Sequence, residues 1–314
     1  MASNTRVVLK SQRYGKDRVR LVKVIRGDNG WQDVVELTVR VLLEGDFETS
    51  YTHADNSLVV ATDSMKNTVY VLAKQSNHVG RPELFAQELG RHFLDTYSHV
   101  STAHVRILQH RWARMNVQGR LHPHSFRRDG DDKRVCEAHV SRTDHSRYRV
   151  DISSGISQLL VLKTTGSSFT NFVRDRFTTL PETTDRILST VVEAEWRFHP
   201  AYLTAGANAR EDRLTDIDYD EVYQAARNIT LNVFAEDNSA SVQATLYRMA
   251  QQIIEVAPDV DQVYYALPNK HVFTVNLEPF GLKNTGSDAT IFMPFDDPSG
   301  LITATVVRKS AAKL

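Results

Sequence analysis

Residues 18–43 read RVRLVKVIRGDNGWQDVVELTVRVLL, and this stretch gives the first indication of the fold. Both of its ends, at residues 18–26 and 34–43, are rich in β-branched and apolar residues, which is typical of strands. The residues between them at 27–30 have the sequence GDNG, which favours a tight turn. The pattern therefore predicts a long antiparallel hairpin.

A helix and further strands are predicted downstream of this hairpin. Residues 82–97 open with Pro82 and Glu83 and carry large apolar side chains at helical spacing. This predicts an amphipathic helix of about four turns. Residues 100–115 and 134–150 read as strands, with a polar connection at 118–133 between them. The first half of the chain is therefore predicted to be sheet, helix and sheet.

The second half of the chain repeats this order of elements. The pattern predicts strands at 158–163 and 188–198, helices at 219–234 and 241–256, and strands at 262–267 and 271–277. The helix-turn-strand pattern of residues 84–111 can be laid over residues 242–270 with a shift of about 159 residues. We therefore predict an α+β fold of two duplicated domains, at residues 1–146 and 147–314.

Composition and charge exclude several classes of protein. The chain has 314 residues, with 38 Lys and Arg against 38 Asp and Glu, so no overall field would attract nucleic acid or an anionic membrane. Its longest apolar runs are far shorter than the roughly 20 residues of a membrane helix, and the amino terminus lacks the apolar core of a secretory signal. The single cysteine, Cys136, excludes an internal disulfide. Its strand-like surroundings favour an inert, partly buried thiol over a nucleophile.

The 12 histidines raise the question of a metal site, most sharply at His122 and His124. Alternate residues of an extended segment share a face and can share a metal. No third ligand completes that pair, and His99, His104 and His110 do not converge in any simple arrangement. A glycine-rich phosphate loop, a nucleophile elbow and a paired-carboxylate motif are also missing from the sequence. We therefore predict that the protein uses neither a metal nor an organic cofactor.

The most specific pattern is at residues 159–186, which read LLVLKTTGSSFTNFVRDRFTTLPETTDR and resemble the uricase signature. The positions that match its spacing are Lys163, Ser167, Phe169, Phe172, Phe177, Leu180 and Arg186. Other stretches similar to this family are YGK at 14–16, VATDS at 60–64, HPHSF at 122–126, FAEDNS at 234–239 and LPNKH at 267–271. They occur in the family's order, so the resemblance covers nearly the whole chain.

The resemblance implies a fold, an assembly and a reaction. The fold would be two tandem tunnelling-fold domains, each an antiparallel sheet backed by helices. Four copies would assemble into a homotetramer around a β-barrel tunnel, with each active site shared between subunits. The reaction would be the oxidation of urate by molecular oxygen and water to 5-hydroxyisourate and hydrogen peroxide, without a cofactor.

The resemblance also assigns the groups that hold urate, a flat anion with amide-like edges. Arg186 would grip one edge through its planar guanidinium, which suits a bidentate contact better than a lysine does. Gln243 would complete this clamp beside the backbone of Val242, while Phe169 would stack on the purine face and Leu180 would wall the pocket. Without the family match, Phe169 and Leu180 would read as ordinary core residues.

A second group of residues would perform the chemistry. Lys16 would remove a proton from urate through the hydroxyl of Thr62, which requires a neutral amine in a partly buried or cation-rich setting. Without the family match, Lys16 would read as a solvated lysine and Thr62 as a turn or helix cap. The backbone amide of Asp63 would contact the substrate. Asn269 would hold oxygen or water, and His271 would relay protons. In an extended strand these last two share a face, and the lysine between them should face away.

Two alternatives remain open at this stage. One is another tunnelling-fold enzyme that acts on a pterin-like or purine-like heterocycle, because a fold alone does not fix a reaction. The other is a purine-binding protein without catalysis. The final tripeptide, Ala312-Lys313-Leu314, resembles the Ser-Lys-Leu peroxisomal address. It predicts a peroxisomal enzyme in a eukaryote, while a bacterial one would be cytoplasmic. Residues 201–213 carry no motif of the family.

Overall fold

The computed structural model of the chain describes residues 7–205 and 216–309. The chain forms two compact units. Unit 1 comprises Met1–Gly155 and Arg197–Glu221, and unit 2 comprises Ile156–Trp196 and Val222–Leu314. The division between residues 146 and 147 stays a prediction about the duplicated domains.

Unit 1 contains a sheet whose first four strands follow chain order. The elements are β1 (Tyr14–Arg26), β2 (Gln32–Gly45), α1 (Glu48–Thr52), α2 (Thr62–Gln75), α3 (Pro82–Thr96), β3 (Val100–Val117), β4 (Arg120–Arg142), the first half of β5 (Arg147–Lys163) and β7 (Ala201–Thr204). The pairs β1/β2, β2/β3, β3/β4 and β5/β7 are antiparallel. Since α3 packs on β3 and β4, the helix covers one face of the sheet.

Unit 2 repeats the plan of two strands, two helices and two strands. Its elements are the second half of β5, β6 (Leu188–Phe198), α4 (Tyr219–Glu236), α5 (Val242–Val256), β8 (Val260–Thr274) and β9 (Phe292–Val307). The last two residues of β6 and the first three of α4 belong to unit 1. The strand order is β5-β6-β8-β9, and α5 packs on β8 and β9. The helix α5 and the strand β8 each begin 160 residues after α3 and β3, since 242 − 82 and 260 − 100 are equal. The predicted α+β class and its repeat are thus confirmed.

The cores form where strand alternation meets a helical stripe. In β2, alternate residues from Leu37 to Leu43 are fully buried, and so are Phe85, Leu89 and Phe93 of α3. These spacings follow the periods of a strand and of a helix. The predicted first hairpin and the predicted helix at 82–97 are confirmed.

The predicted polar connection at residues 118–133 is wrong, because β4 begins at Arg120. Its charged side chains are stabilised by partners across the hairpin. The Arg128 guanidinium lies 4.2 Å from the ring centre of Trp112, its cross-strand partner, and Arg114 lies 4.7 Å from that of Phe126. Such cation–π pairs let a polar sequence form a strand, because the aromatic and guanidinium faces shield each other from water.

Other predicted boundaries also need correction. The strand expected at 134–150 is two strands joined by a turn at residues 143–146, in which the amide of Ser146 donates to the Asp144 carboxylate at 2.8 Å. The two strands expected at 262–267 and 271–277 form the single strand β8. Within the described ranges, none of the helices has the length and apolar character needed to cross a membrane. The tripeptide at 312–314 and part of residues 201–213 lie outside those ranges.

Candidate active site

The first group of candidate residues lies in unit 1, where the hydroxyl of Tyr14 joins two distant motifs. This hydroxyl accepts a hydrogen bond from the amide of Val60 at 2.7 Å and contacts the carbonyl oxygen of Val60 at 3.2 Å. The ring of Tyr14 meets the buried ring of Phe47 edge-on, with centroids 4.8 Å apart. The motif at 14–16 is thereby held beside the motif at 60–64.

Lys16 immediately precedes an irregularity in the pairing of β1 with β2. The register shifts between Lys16 and Val19, and Arg18 within this bulge has a left-handed φ of 56°. A side chain at Gly15 would collide with the carbonyl of Val41, so the close pairing before the bulge requires glycine. Bulges re-aim side chains and are common beside active sites. The side chain of Lys16 is half-buried.

Thr62 and Asp63 are the first two residues of α2. The first helical hydrogen bond here runs from the amide of Met65 to the carbonyl of Ala61 at 3.1 Å. The amides of Thr62 and Asp63 therefore have no partner inside the helix. Together with the helix dipole, such amides favour a bound anion. The structure thus makes the predicted contact of the Asp63 amide with an anionic substrate chemically reasonable.

The carboxylate of Asp63 is already engaged along the helix. It accepts hydrogen bonds from Lys66 Nζ at 2.6 Å and Asn67 Nδ2 at 3.0 Å. The pKa of Asp63 is lowered chiefly by the hydrogen bond from Lys66, with a smaller contribution from the positive charge of Lys16. Lys16 follows Tyr14 by two residues and Thr62 follows Val60 by two, so the hydrogen bond between Tyr14 and Val60 brings Lys16 near the start of α2. One end of unit 1 therefore brings together Lys16, Thr62 and Asp63.

The second group lies in unit 2, where the signature folds back on itself. The backbone of Phe169 exchanges two hydrogen bonds with that of Thr183, at 2.8 and 3.0 Å. The amide of Arg186 donates to the carbonyl of Ser167 at 2.8 Å, and Ser167 also bridges to Ser239 just before α5. These contacts fix Phe169, Arg186 and the start of α5 relative to one another.

Two signature side chains hold this arrangement, and sequence reasoning gave neither of them a role. The Asp185 carboxylate accepts from the Thr165 hydroxyl at 2.7 Å and from the Gly166 amide at 2.8 Å, and these hydrogen bonds lower the pKa of Asp185. Lys163 donates from Nζ to the carbonyl of Asp237 at 2.7 Å. The aspartate therefore closes the signature loop, and the lysine ties the loop to the end of α4.

A cavity of about 420 Å³ lies beside the signature. Four of the predicted residues line it, namely Leu180, Arg186, Asn269 and His271. The Nε atom of Arg186 is buried and has no hydrogen-bond partner among the described residues, and burial lowers the pKa of this guanidinium. A buried, unpaired donor on a cation is costly unless a ligand accepts from it. The wall at Arg186 is therefore suited to a planar anion.

Asn269 and His271 stand at an irregularity between β8 and β9. Asn269 pairs with Gly300, whereas His271 pairs with Phe295, so three extra residues of β9 are accommodated between them. Both side chains belong to residues that line the cavity, as expected. Lys270 also contributes to the lining, and its Nζ contacts the Asp296 carboxylate at 2.6 Å. The expectation that this lysine faces away assumed regular alternation, which the register shift interrupts.

Phe169, Val242 and Gln243 do not line this cavity. The Phe169 ring lies with its centre 5.4 Å from the Arg186 guanidinium carbon. Val242 and Gln243 open α5, whose cap is the Ser241 hydroxyl accepting from the Ala244 amide at 3.1 Å. Val242 is buried and Gln243 is exposed. These three residues are tied to Arg186 through the bridged signature loop.

The histidines that could have bound a metal and the cysteine that could have been a nucleophile lie elsewhere in the sheet of unit 1. In the part of the chain that the structure describes, no three His, Cys, Asp or Glu side chains lie close enough to hold a metal ion. The rings of His122 and His124 contact each other edge-on, with centroids 4.6 Å apart. Cys136 is fully buried, and burial raises the pKa of its thiol, as an inert thiol requires.

The fold and the two groups of residues define an α+β enzyme of two repeated units, with a cationic cavity suited to a flat anionic heterocycle. A family model for uricase matches residues 12–139 and 152–303. The chain is 52% identical over 304 residues to a uricase from Emericella nidulans, covering 96% of this chain and 98% of that protein. A uricase from Arthrobacter globiformis of known crystal structure is 39% identical, with a TM-score of 0.83 and coverage of 98% of this chain and 97% of that one.

The chain therefore belongs to the uricase family. Its activity is the oxidation of urate, and it is an oxidoreductase. Another tunnelling-fold activity and a purine-binding protein without catalysis are not favoured.

Proposed function

We propose that each active site combines the Lys16 group of one copy with the Arg186 group of a neighbouring copy, within a homotetramer. The observation that carries this proposal is the division of the candidate residues. Lys16, Thr62 and Asp63 belong to unit 1, whereas the substrate clamp and the residues for oxygen belong to unit 2. The unit 1 group supplies the proton acceptor, Lys16, and the unit 2 group supplies the guanidinium clamp, Arg186.

Urate binds first through the unit 2 group. The Arg186 guanidinium donates two parallel hydrogen bonds to one edge of the purine, and the amide side chain of Gln243 completes the clamp beside the backbone of Val242. Phe169 stacks on the purine face, while Leu180 closes one wall. Support for the clamp comes from the buried Arg186 Nε atom, which has no partner among the described residues.

The unit 1 group then removes a proton. Lys16 in its neutral form accepts the proton through the Thr62 hydroxyl, and the Asp63 amide at the start of α2 stabilises the anion. Loss of this proton makes urate more electron-rich and therefore easier to oxidise. The bulge that follows Lys16 and the link from Tyr14 to Val60 support this pairing of the two motifs.

Oxygen and water react above the purine ring. Asn269 holds them through its amide side chain, and His271 passes protons between this position and Lys16 with Thr62. Urate, O2 and water are consumed, and 5-hydroxyisourate and hydrogen peroxide are released. Each turnover transfers two electrons from urate to O2, and water supplies the new hydroxyl group.

Subunit exchange tests the shared site. Thr62→Ala disables the unit 1 group and Arg186→Ala disables the unit 2 group, so each variant alone should have little activity. After exchange of equal amounts, sites with both intact groups should be about a quarter of the total. The matched control mixes Thr62→Ala with Lys16→Met, which damage the same group and cannot complement. Mixed assemblies without activity, with exchange verified by mass spectrometry, would contradict the proposal.

We also propose delivery to the peroxisome in a eukaryotic cell, on the basis of residues 312–314, and a cytoplasmic location in a bacterium. A fluorescent fusion that preserves the carboxyl terminus should form peroxisomal spots in a eukaryotic host. Removal of the last three residues should make the signal diffuse. A punctate signal that survives this removal would refute the role of the tripeptide.

A further inference from the structure

The signature contains a second aromatic residue, Phe172, that the proposed reaction leaves without a role. Its ring is stacked on that of Phe169, with centroids 4.7 Å apart and an interplanar angle of 9°. The chain reverses between them at Asn171, which has a left-handed φ of 57° and donates its amide to the Glu182 carboxylate at 2.9 Å. Asparagine tolerates this conformation better than most residues do. The turn therefore fixes the parallel placement of the two rings.

Cations lie near both rings of this pair. The guanidinium carbon of Arg174 is 5.4 Å from the ring centre of Phe172, and that of Arg186 is 5.4 Å from the ring centre of Phe169. Arg174 also donates from Nη1 to the carbonyl of Leu180 at 2.8 Å. The four side chains thus form one cluster, with Arg174 at its Phe172 end and Arg186 at its Phe169 end. Its outer end is anchored to the residue that we expect to wall the pocket.

We propose that Phe172 and Arg174 are positioning residues for the substrate, acting through Phe169. They hold the Phe169 ring at a fixed tilt and make its exposed face less repulsive to an anionic purine. This inference rests on the proposed stacking role of Phe169.

The physical reason for the ring pair is preorganisation. A phenylalanine ring that is free to rotate loses that freedom when a flat ligand stacks on it, which weakens binding. Phe172 covers one face of Phe169 and restricts its rotation before urate arrives. We place the ligand on the other side of this ring, within reach of the Arg186 guanidinium, which lies 5.4 Å from the ring centre.

The physical reason for the cation is electrostatic. The face of an aromatic ring carries negative potential, so an anion that stacks on it is partly repelled. A cation near the far end of a stacked pair draws electron density away from the exposed face and offsets this repulsion. Arg174 has the position required for this effect, and its contact with Leu180 keeps it there.

Four variants of the stack separate the contribution of the ring from that of the charge. Phe172→Leu keeps an apolar side chain but removes the ring, and should raise the KM for urate about 3- to 10-fold with kcat changed less than about twofold. Phe172→Tyr keeps the ring and should leave KM within about twofold of the wild type. Arg174→Gln removes the charge and should raise KM about 2- to 5-fold. Arg174→Lys, which keeps a cation, should recover part of that loss.

The matched control is Arg176→Gln. Arg176 lies over Phe177, with its guanidinium carbon 4.6 Å from the ring centre, and it is absent from the Phe169 stack. This variant should have a wild-type KM. Thermal unfolding of every variant shows whether the fold is retained, and the exposed Arg174 provides a test even if Phe172→Leu does not fold.

A reference variant, Phe169→Leu, separates the stacking role of Phe169 from the positioning role of Phe172 and Arg174. If Phe169→Leu leaves KM unchanged, the proposed stacking role of Phe169 fails, and this inference fails with it. If Phe169→Leu raises KM while folded Phe172→Leu and Arg174→Gln do not, only the present inference is overturned. An equal effect of Phe172→Leu and Phe172→Tyr would also overturn it, because the ring would then not be the feature that matters.

Discussion

Replacement of Arg186 by alanine should damage urate binding more than turnover. The Arg186 side chain is half-buried at the cavity, and its Nε atom is buried without a partner among the described residues. Binding of urate is therefore expected to give this unpaired donor a hydrogen-bond acceptor. Truncation of one partner of a buried charged contact costs about 2–4 kcal/mol. Each 1.4 kcal/mol is a factor of ten, so kcat/KM should fall roughly 30- to 700-fold.

The assay is the loss of urate absorbance over a range of substrate concentrations, with oxygen kept constant. If the clamp acts equally in the ground state and the transition state, nearly all of the loss should be in KM. Arg186→Lys keeps the charge but not the planar fork, and should lie between the wild type and Arg186→Ala. Arg176→Ala, which removes a neighbouring exposed arginine of the same loop, should have nearly wild-type kinetics.

A different outcome would refute this reasoning. A folded Arg186→Ala variant with an unchanged KM would show that the guanidinium does not hold urate in the ground state. A loss confined to kcat would assign Arg186 to the transition state instead. Full activity of Arg186→Lys would show that charge alone suffices and that bidentate geometry is unimportant.

Three further predictions concern the proton acceptor, the oxygen position and the core. Lys16→Met should lower kcat about 10²- to 10⁴-fold with little change in urate binding; a folded variant that keeps the wild-type kcat would assign the base elsewhere. His271→Ala should still bind urate but accumulate an intermediate in stopped-flow traces after oxygen is added, whereas equal slowing of every phase would remove His271 from proton relay. Glu83→Ala should lower the free energy of unfolding in urea by about 1–3 kcal/mol, because it removes the buried carboxylate that contacts Arg134 Nη2 at 2.7 Å while Asp220 still pairs with this guanidinium; Asp151→Ala at a more exposed ion pair should cost far less, and an equal cost would contradict this.

The elements that the sequence predicted well have strong local signals. The first hairpin, α3 and β6 combine clear periodicity with turn residues or an N-terminal proline, so tertiary contacts only reinforce them. The helix α2 was not predicted, because it buries few residues and its remaining positions are mostly polar. The strand β9 was also missed, since prolines and a largely exposed surface make its sequence resemble turns.

In the candidate site, sequence motifs identified several residues but did not reveal the contacts that hold them in place. The family resemblance identified Arg186 through the signature at 159–186, and Asn269 with His271 through the stretch at 267–271. The structure places all three around one cavity. The link from Tyr14 to Val60 spans 46 residues, and no local pattern marks a hydroxyl that will bond to a distant backbone. The carboxylate of Asp185 is likewise used within its own loop, although its sequence position beside Arg186 suggests no such role.

In both units, the candidate residues stand where regular pairing fails and where a helix begins. Lys16 precedes a bulge in unit 1, and Asn269 with His271 flanks a register shift in unit 2. A regular strand alternates its side chains and uses its backbone groups in the ladder, so an irregularity is needed to re-aim side chains towards a ligand. The starts of α2 and α5 add backbone amides that helical geometry leaves unpaired.

These positions are not equivalent in the two copies of the repeat. Unit 1 uses its first strand and the first long helix after it, whereas unit 2 uses the strand that follows its two helices and the second helix. In our proposal the two units of the repeat therefore supply different chemistry, a proton acceptor from unit 1 and a clamp with an oxygen position from unit 2. The proposed site takes one unit of each kind. Subunit exchange between Thr62→Ala and Arg186→Ala distinguishes two units of one chain from units of two chains.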